Sequence, residues 1–160
     1  MAGKETVRAM REGFTLKVLG LGMVLTLILS GCAPVYALTR ERGAAPEKVV
    51  ESFYDWYLGY PGNALADGAY RSGGPLTEEF VEKADAIVAS FDRGGYDPFL
   101  CAQDFPEDLV IDRATVSGNQ ARVIVHQSWN DGTKYGVVRS VAVELEQIGG
   151  WWMITDIICR

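Results

Sequence analysis

The side chains that could do acid–base chemistry in this sequence are few and follow no recognisable spacing. His126 is the only histidine, and Asp97 and Asp104 lie in an irregular stretch. General acid–base catalysis requires a base such as Asp or His together with a donor such as a Tyr hydroxyl. The candidate donors are Tyr54, Tyr57 and Tyr70. The sequence contains no phosphate loop, nucleophile elbow or Cys/His ligand spacing, so we expect no cofactor and no metal.

One cysteine stands in a more specific pattern. Cys32 follows Leu29, Ser30 and Gly31, which end an apolar run that begins at Val18. Four basic residues precede the run, and this layout is typical of a secretory signal peptide over residues 1–31. The stretch resembles the lipobox of bacterial lipoproteins. That resemblance implies diacylglyceryl attachment to the Cys32 thiol, cleavage before Cys32 and fatty acylation, such as palmitate, of the new amino terminus.

The alternative is an uncleaved transmembrane helix. A membrane span requires about 20 apolar residues, whereas this run is shorter and is followed by Pro34, which would interrupt a helix. The basic region is long for a signal peptide and contains two acidic residues. A start at Met10 would give a more ordinary one, so Met1 and Met10 both remain candidate starts.

Charge sets the remaining part of the chain apart from the predicted signal. Removing residues 1–31 leaves 129 residues, with 11 basic and 19 acidic side chains. This length suits one domain. Such an acidic domain is a poor nucleic-acid binder and would be repelled by anionic lipid, so its membrane contact should come from acyl chains on Cys32. We therefore predict a lipid-anchored protein on the extracytoplasmic side of the cell envelope, at the outer membrane if the cell has one.

Cys101 and Cys159 remain as a pair once Cys32 is assigned to lipid. An even number of cysteines in an oxidising compartment favours a disulfide, here between Cys101 and Cys159. Two separate buried thiols are the alternative, because free cysteine is among the most buried residue types.

The order of elements is predicted from periodicity. Residues 32–45 lack an apolar period and are predicted to be a flexible tether, and a domain is expected over residues 46–160. Helical spacing of apolar residues predicts helices over 46–60 and 78–92, the second capped by Thr77. Residues 63–68 could form a short helix, and residues 70–75 are predicted to be loop.

Beyond residue 98 the pattern alternates, which is typical of strands. Strands are expected over 109–116, 121–129, 135–146 and 151–158. Helices followed by antiparallel hairpins indicate an α+β fold, with helices covering one face of a sheet of about four strands.

This order resembles the cone-shaped nuclear transport factor 2-like fold, with a curved antiparallel sheet. Residues 49–57 and 150–157 carry the resemblance. Residues 53–58 and 97–104 resemble an uncharacterised family, a domain of unknown function found in exported bacterial lipoproteins. The resemblance implies a binding cavity at the mouth of the cone, where a ligand would meet Tyr54, Tyr57, Tyr70, Gln103 and Asp104.

Alternation places His126 on one strand face with Arg122, Ile124 and Ser128, away from the more apolar face with Val123 and Val125. The apolar face is expected to meet the helices, which leaves His126 outside. The aromatic residues of the first helix are interpreted mainly as core, with a pocket wall as the alternative.

We predict a non-catalytic envelope lipoprotein that binds a small ligand or an envelope protein through this domain. The alternative is an isomerase or dehydratase that uses Asp104 or His126 with a tyrosine. A membrane-tethered spacer or sensor is a third hypothesis.

Overall fold

Three helices precede five strands in the computed structural model, which describes residues 42–91, 95–130, 132–133 and 136–159. The predicted signal peptide, Cys32 and nearly all of the predicted tether lie outside these residues. Within the described part of the chain, no helix is long and apolar enough to cross a membrane.

Helix α1 comprises Pro46–Gly59, in agreement with the predicted helix over 46–60. Proline is favoured at a first helical position, and Pro61 disfavours helical geometry in the residue before it. The buried face of α1 carries Val50, Phe53, Tyr54 and Tyr57. This spacing of three and four residues places all of them against the sheet.

The prediction of a loop over residues 70–75 is wrong in part, because Tyr70–Gly73 forms a short helix, α2. The preceding residues form a series of turns, in which the Asn63 side chain accepts a hydrogen bond from the Ala66 amide. These turns lead directly into α2 and bury the Tyr70 ring. A four-residue helix is too short to show a period in sequence.

Helix α3 comprises Glu78–Ala89 and begins at the predicted cap, where the Thr77 hydroxyl accepts from the Phe80 amide. It ends before the predicted residue 92. The Ser90 hydroxyl donates to the Ile87 carbonyl, which satisfies one of the free acceptors at the helix end.

The sheet contains β1 (Asp108–Ile111), β2 (Thr115–Ser117), β3 (Gln120–Trp129), β4 (Val137–Ile148) and β5 (Trp151–Cys159). The strands are antiparallel in the order β1-β3-β4-β5, and β2 also pairs with β3. The described part of the chain thus has the expected α+β architecture, with five strands instead of about four.

The additional strand arises because the predicted strand 109–116 is interrupted. Ile111 pairs with Val125 and Thr115 pairs with Arg122. Residues 112–114 therefore face only residues 123 and 124. One extra residue on one side of a ladder is a bulge, which ends regular pairing.

The two sheet faces follow the predicted alternation. Val123 and Val125 pair with Val143 and Val141, and all four are buried on the inner face beneath the helices. His126 is half-buried on the outer face. Side chains alternate between the two faces of a strand, so placing one residue of β3 on the inner face also determined the face of every other residue of that strand.

A disulfide joins Cys101, in the loop before β1, to Cys159 at the end of β5, with Cα atoms 5.5 Å apart. Cys101 is the only non-glycine residue of the described segments with positive φ, at 54°. A left-handed conformation is unfavourable for a residue with a Cβ atom, so the surrounding contacts must hold it in place.

We expect a Cys101→Ser/Cys159→Ser double variant to lose about 4 kcal/mol in free energy of unfolding, because the bond closes a long loop in the unfolded chain. Urea denaturation of both proteins, with and without reductant, measures this loss. Reductant should lower the free energy of unfolding of the wild type to that of the variant and leave the value for the variant unchanged. Identical wild-type curves in both conditions, or free alkylated thiols at both positions, would contradict the disulfide.

Candidate functional site

The aromatic residues of the first helix pack around a single ring. Phe99 lies in the loop before β1, and its ring centroid is 5.2 Å from that of Tyr57 and 5.1 Å from that of Tyr70. Phe53 and Phe80 complete the shell, each at 5.7 Å. Aromatic pairs at 4.5–7 Å are stabilised beyond their buried area. These rings form the core, as the sequence indicated.

The hydroxyls of all three tyrosines of the predicted pocket are hydrogen-bonded, those of Tyr54 and Tyr57 inside this core and that of Tyr70 at its partly exposed edge. Tyr54 donates to the Phe99 carbonyl oxygen at 2.8 Å, and Tyr57 donates to Asp97 Oδ2 at 2.6 Å. Tyr70 donates to Asp85. Burial raises the pKa of Tyr54 and of Tyr57, and it raises that of Tyr70 to about 12. All three therefore stay protonated and serve as structural donors.

Asp97 is the acceptor around which the loop before β1 turns. Its Oδ1 atom accepts from the amides of Phe99 and Leu100, at 2.8 and 3.2 Å. Burial raises the pKa of Asp97 above its usual value, because loss of hydration outweighs the three donors. The carboxyl group and the Tyr57 hydroxyl bond directly to each other, with no cavity between them.

A second set of polar contacts joins α2 to α3. Asp85 accepts from Tyr70 and also from Arg71, with Arg71 Nη2 3.0 Å from Asp85 Oδ1. The Arg71 guanidinium, followed by the Tyr70 hydroxyl, lowers the pKa of Asp85. The Arg71–Asp85 pair is half-exposed, so we interpret it as support for the fold.

Gln103 and Asp104 lie apart from the three tyrosines, in the wall of an open cavity of about 600 Å³. We call it the mouth cavity, because it opens at the end of the inner sheet face, beside the loop before β1. Trp129 fastens that loop to the sheet, since its Nε1 donates to the Asp104 carbonyl at 3.2 Å. Among the described residues, its lining comprises Tyr96, Cys101, Ala102, Gln103, Asp104, Trp129, Asn130, Val137 and Arg139.

The five predicted pocket residues thus fall into two groups, a buried set of tyrosines and an exposed pair. Three further residues of this cavity wall were not predicted from sequence: Tyr96, Trp129 and Arg139. Arg139 could have been found from alternation, because it shares the inner face of β4 with Val137 and Val141. An arginine in an otherwise apolar alternating series is a candidate ligand contact at the end of a sheet.

A smaller cavity of about 290 Å³ lies on the other side of Tyr96 and the disulfide. Its wall includes Cys159, Phe80 and the ion pair between Lys83 and Asp156, whose atoms are 2.7 Å apart. The Lys83 charge is already neutralised there.

His126 lies on the outer face, as expected, and lines neither cavity. Its Nδ1 is 2.8 Å from Ser140 Oγ, and its Nε2 is 3.2 Å from Asp112 Oδ2. These are the residue types of a hydrolase triad. They lie on an open strand face, where we find no site for a substrate carbonyl, so we interpret them as a surface network. No group of three potential metal ligands occurs among the described residues.

The fold defines the class of protein: an α+β domain with helices packed on one face of an open, five-stranded antiparallel sheet. No family model and no curated protein matches the sequence.

Solved structures do match this fold. Two crystal structures of the type VI effector–immunity complex Tae3–Tai3 from Ralstonia pickettii contain a chain that is 23% identical, with TM-scores of 0.54 and 0.56. Each match covers 72% of this chain, and 97% or 95% of the matched chain. An uncharacterised protein from Bacteroides thetaiotaomicron is 27% identical over 70% of this chain and 84% of its own, with a TM-score of 0.47. The likeness to the two Ralstonia pickettii structures establishes the fold alone.

Asp97 provides a test of the loop's electrostatics. Asn at this position keeps an acceptor for the two amides, and its NH₂ group donates to the Tyr57 hydroxyl. Because the native chain holds the Asp97 proton more tightly than the unfolded chain, ionisation of Asp97 lowers stability as pH rises from about 4. We therefore expect the unfolding free energy of wild type, relative to Asp97→Asn, to decrease between pH 4 and pH 7.

Urea denaturation across this pH range measures the difference. Asp97→Ala is the control for lost hydrogen bonding and should cost at least about 2 kcal/mol at every pH, because the Tyr57 hydroxyl and the Phe99 amide lose their acceptor, whereas the Leu100 amide keeps the Asp97 carbonyl. A pH-independent difference between wild type and Asp97→Asn would contradict the raised pKa.

Proposed function

We propose that this protein is a lipid-anchored envelope protein whose domain binds a protein partner without doing chemistry on it. The carrying observation is the contrast between the core and the mouth cavity. The hydroxyls of Tyr54, Tyr57 and Tyr70 already donate to other groups of the fold, whereas the mouth cavity presents aromatic and charged side chains to solvent. Such a surface favours binding over catalysis.

The proposed location follows from the sequence around Cys32. A signal peptide over residues 1–31 and acyl chains on Cys32 would hold the acidic domain at a membrane that its own charge would otherwise avoid. The Cys101–Cys159 bond is consistent with an oxidising compartment.

We also propose that the domain is a variant of the nuclear transport factor 2-like cone. The order of elements supports this proposal, since helices come first and three long strands, β3 to β5, form consecutive hairpins. The mouth cavity opens where that fold would hold a ligand.

We infer that the partner is an effector protein that reaches the envelope, and that this chain is the immunity-type member of such a pair. The fold is similar to a chain of an effector–immunity complex over almost the whole of that chain. An exported, anchored domain with an open binding surface suits a protein that intercepts an incoming effector at the site where it would act.

The alternative enzyme, an isomerase or dehydratase, would require a carboxyl group and a tyrosine hydroxyl on opposite sides of a cavity. Asp97 and Tyr57 are bonded directly to each other. Asp104 and His126 lie on different parts of the fold, and within the described segments no hydrogen bond joins either of them to a tyrosine hydroxyl.

Lipidation has a direct test. Cells expressing Cys32→Ser should incorporate no labelled palmitate into this protein and should accumulate the unprocessed precursor. Ser30→Ala is the matched control and should be lipidated normally, because it keeps a small residue at the cleavage site. Equal label in wild type and Cys32→Ser would contradict the anchor, and a membrane-bound, uncleaved chain would favour the transmembrane alternative.

Immunity has a test in mixed culture. Cells that lack this protein should be outcompeted by parental cells and rescued by the full chain, because only the parent neutralises the effector that both encounter. Competition against a parent whose effector delivery is disabled is the control and should show no disadvantage. Equal survival in both cultures would contradict the proposed role.

A further inference from the structure

We propose that the mouth cavity receives a loop of the partner protein that carries an Asp or Glu side chain, and that Arg139 binds its carboxylate. This inference depends on the proposed function and extends it to the chemistry of the contact. Three observations on the described residues support it: Arg139 has no ion pair, the Gln127 amide has no hydrogen-bond partner, and the loop that forms part of the cavity wall is held in place.

Arg139 is a free cation in an acidic domain. It is exposed, lines the mouth cavity and has no ion pair within the part of the chain that the structure describes. Two other arginines of the described residues do pair with carboxylates, Arg71 with Asp85 and Arg122 with Glu144. A planar guanidinium at a cavity wall is suited to bind a carboxylate through two parallel hydrogen bonds.

Gln127 is an unpaired amide beside that cation. It is fully buried, and neither Nε2 nor Oε1 has a hydrogen-bond partner among the described residues. Its neighbour across the β3–β4 ladder is Arg139, and the next inner-face residue along β3 is Trp129. Both of these line the mouth cavity. A buried, unpaired amide costs stability, and this one lies directly behind two residues of the cavity wall, where in our proposal it gains a partner when the cavity is filled.

The wall itself is fixed before a partner arrives. Asp97 and the disulfide hold the loop that supplies Gln103 and Asp104, and the Trp129–Asp104 bond ties that loop to the sheet. A preformed site loses less conformational freedom on binding than a mobile one.

The cavity's size and charge favour a loop of a protein over a free anion. About 600 Å³ accommodates several side chains, and Tyr96 and Trp129 offer aromatic area, which is enriched at protein interfaces. The predicted domain has an excess of acidic residues, so it attracts a partner that is basic overall. Arg139 then selects the place where that partner presents a carboxylate.

The experiment uses the full chain in detergent micelles, with ¹⁵N-labelled tryptophan, so that the indole signal of Trp129 reports on the cavity. A Trp129→Phe variant assigns that signal among the four tryptophans. The probes are the capped peptides acetyl-Trp-Glu-Gly-amide and acetyl-Trp-Gln-Gly-amide, which differ only in the carboxylate. We expect the Glu peptide to shift the Trp129 signal and to bind about tenfold more tightly than the Gln peptide.

Arg139→Ala should abolish the preference for Glu, and Arg139→Lys should keep part of it, because lysine retains the charge without the planar fork. Arg113→Ala is the matched control: Arg113 is exposed, has no ion pair in the described segments and lies in the bulge between β1 and β2. It should leave both affinities within about twofold, as expected for a distant surface site. Equal affinity for the two peptides, or an unchanged preference in Arg139→Ala, would overturn the inference.

Gln127→Leu separates a binding role from a structural one. Removal of the unpaired amide should raise the thermal midpoint of unfolding of the free protein. It should also lower the affinity for the Glu peptide by about threefold or more. A lower midpoint, or unchanged affinity for the peptide, would contradict the part assigned to Gln127. Competition in mixed culture tests the immunity role separately, so protection without a Glu preference would overturn this inference alone.

Discussion

The hydrogen bond from Tyr57 to Asp97 is the constraint on which the rest of the domain depends. It joins the first helix to a loop that has no regular structure of its own, while the same carboxyl group accepts two amides of that loop. The turn it fixes inserts Phe99 among the aromatic rings of the core. Without this acceptor, the Tyr57 hydroxyl and the Phe99 amide would be unpaired, and the central ring of the core would lose its support.

The same loop connects the core to the mouth cavity. Two residues beyond Phe99, the disulfide joins the loop to the last strand, and Gln103 and Asp104 then enter the cavity wall. The positive φ of Cys101 allows the chain to turn sharply between these two environments. The position of the cavity wall is therefore set by interactions on the opposite side of the loop, in the core.

Elements with a strong period could be predicted from sequence, whereas those held by single contacts could not. The faces of β3 followed from alternation because Val123, Val125 and His126 can occupy only one register if the apolar side is buried. The bulge between β1 and β2 was missed because it shows only as two consecutive exposed polar residues, Asp112 and Arg113, with no turn residue to mark the break. The separation of Tyr57 from Asp104 was missed for a different reason: residues 97–104 have no period, so the hydrogen bonds of Asp97 could not be deduced.

The positions that remain unsatisfied are concentrated at one end of the sheet. Around Phe99 the donors of Tyr54, Tyr57 and Tyr70 all have acceptors, so this part of the fold is locally consistent. At the mouth, Gln127 is buried without a partner and Arg139 has no ion pair among the described residues. Natural sequences tend to break local rules at functional sites and to compensate elsewhere. Here the stabilising interactions lie next to the unsatisfied residues: the aromatic core, the Asp97 turn and the disulfide hold the loop that faces Gln127 and Arg139. In a mobile wall, Gln127 and Arg139 could find partners within the protein by moving. Because this wall is held in place, their polar groups stay free to bind a partner protein.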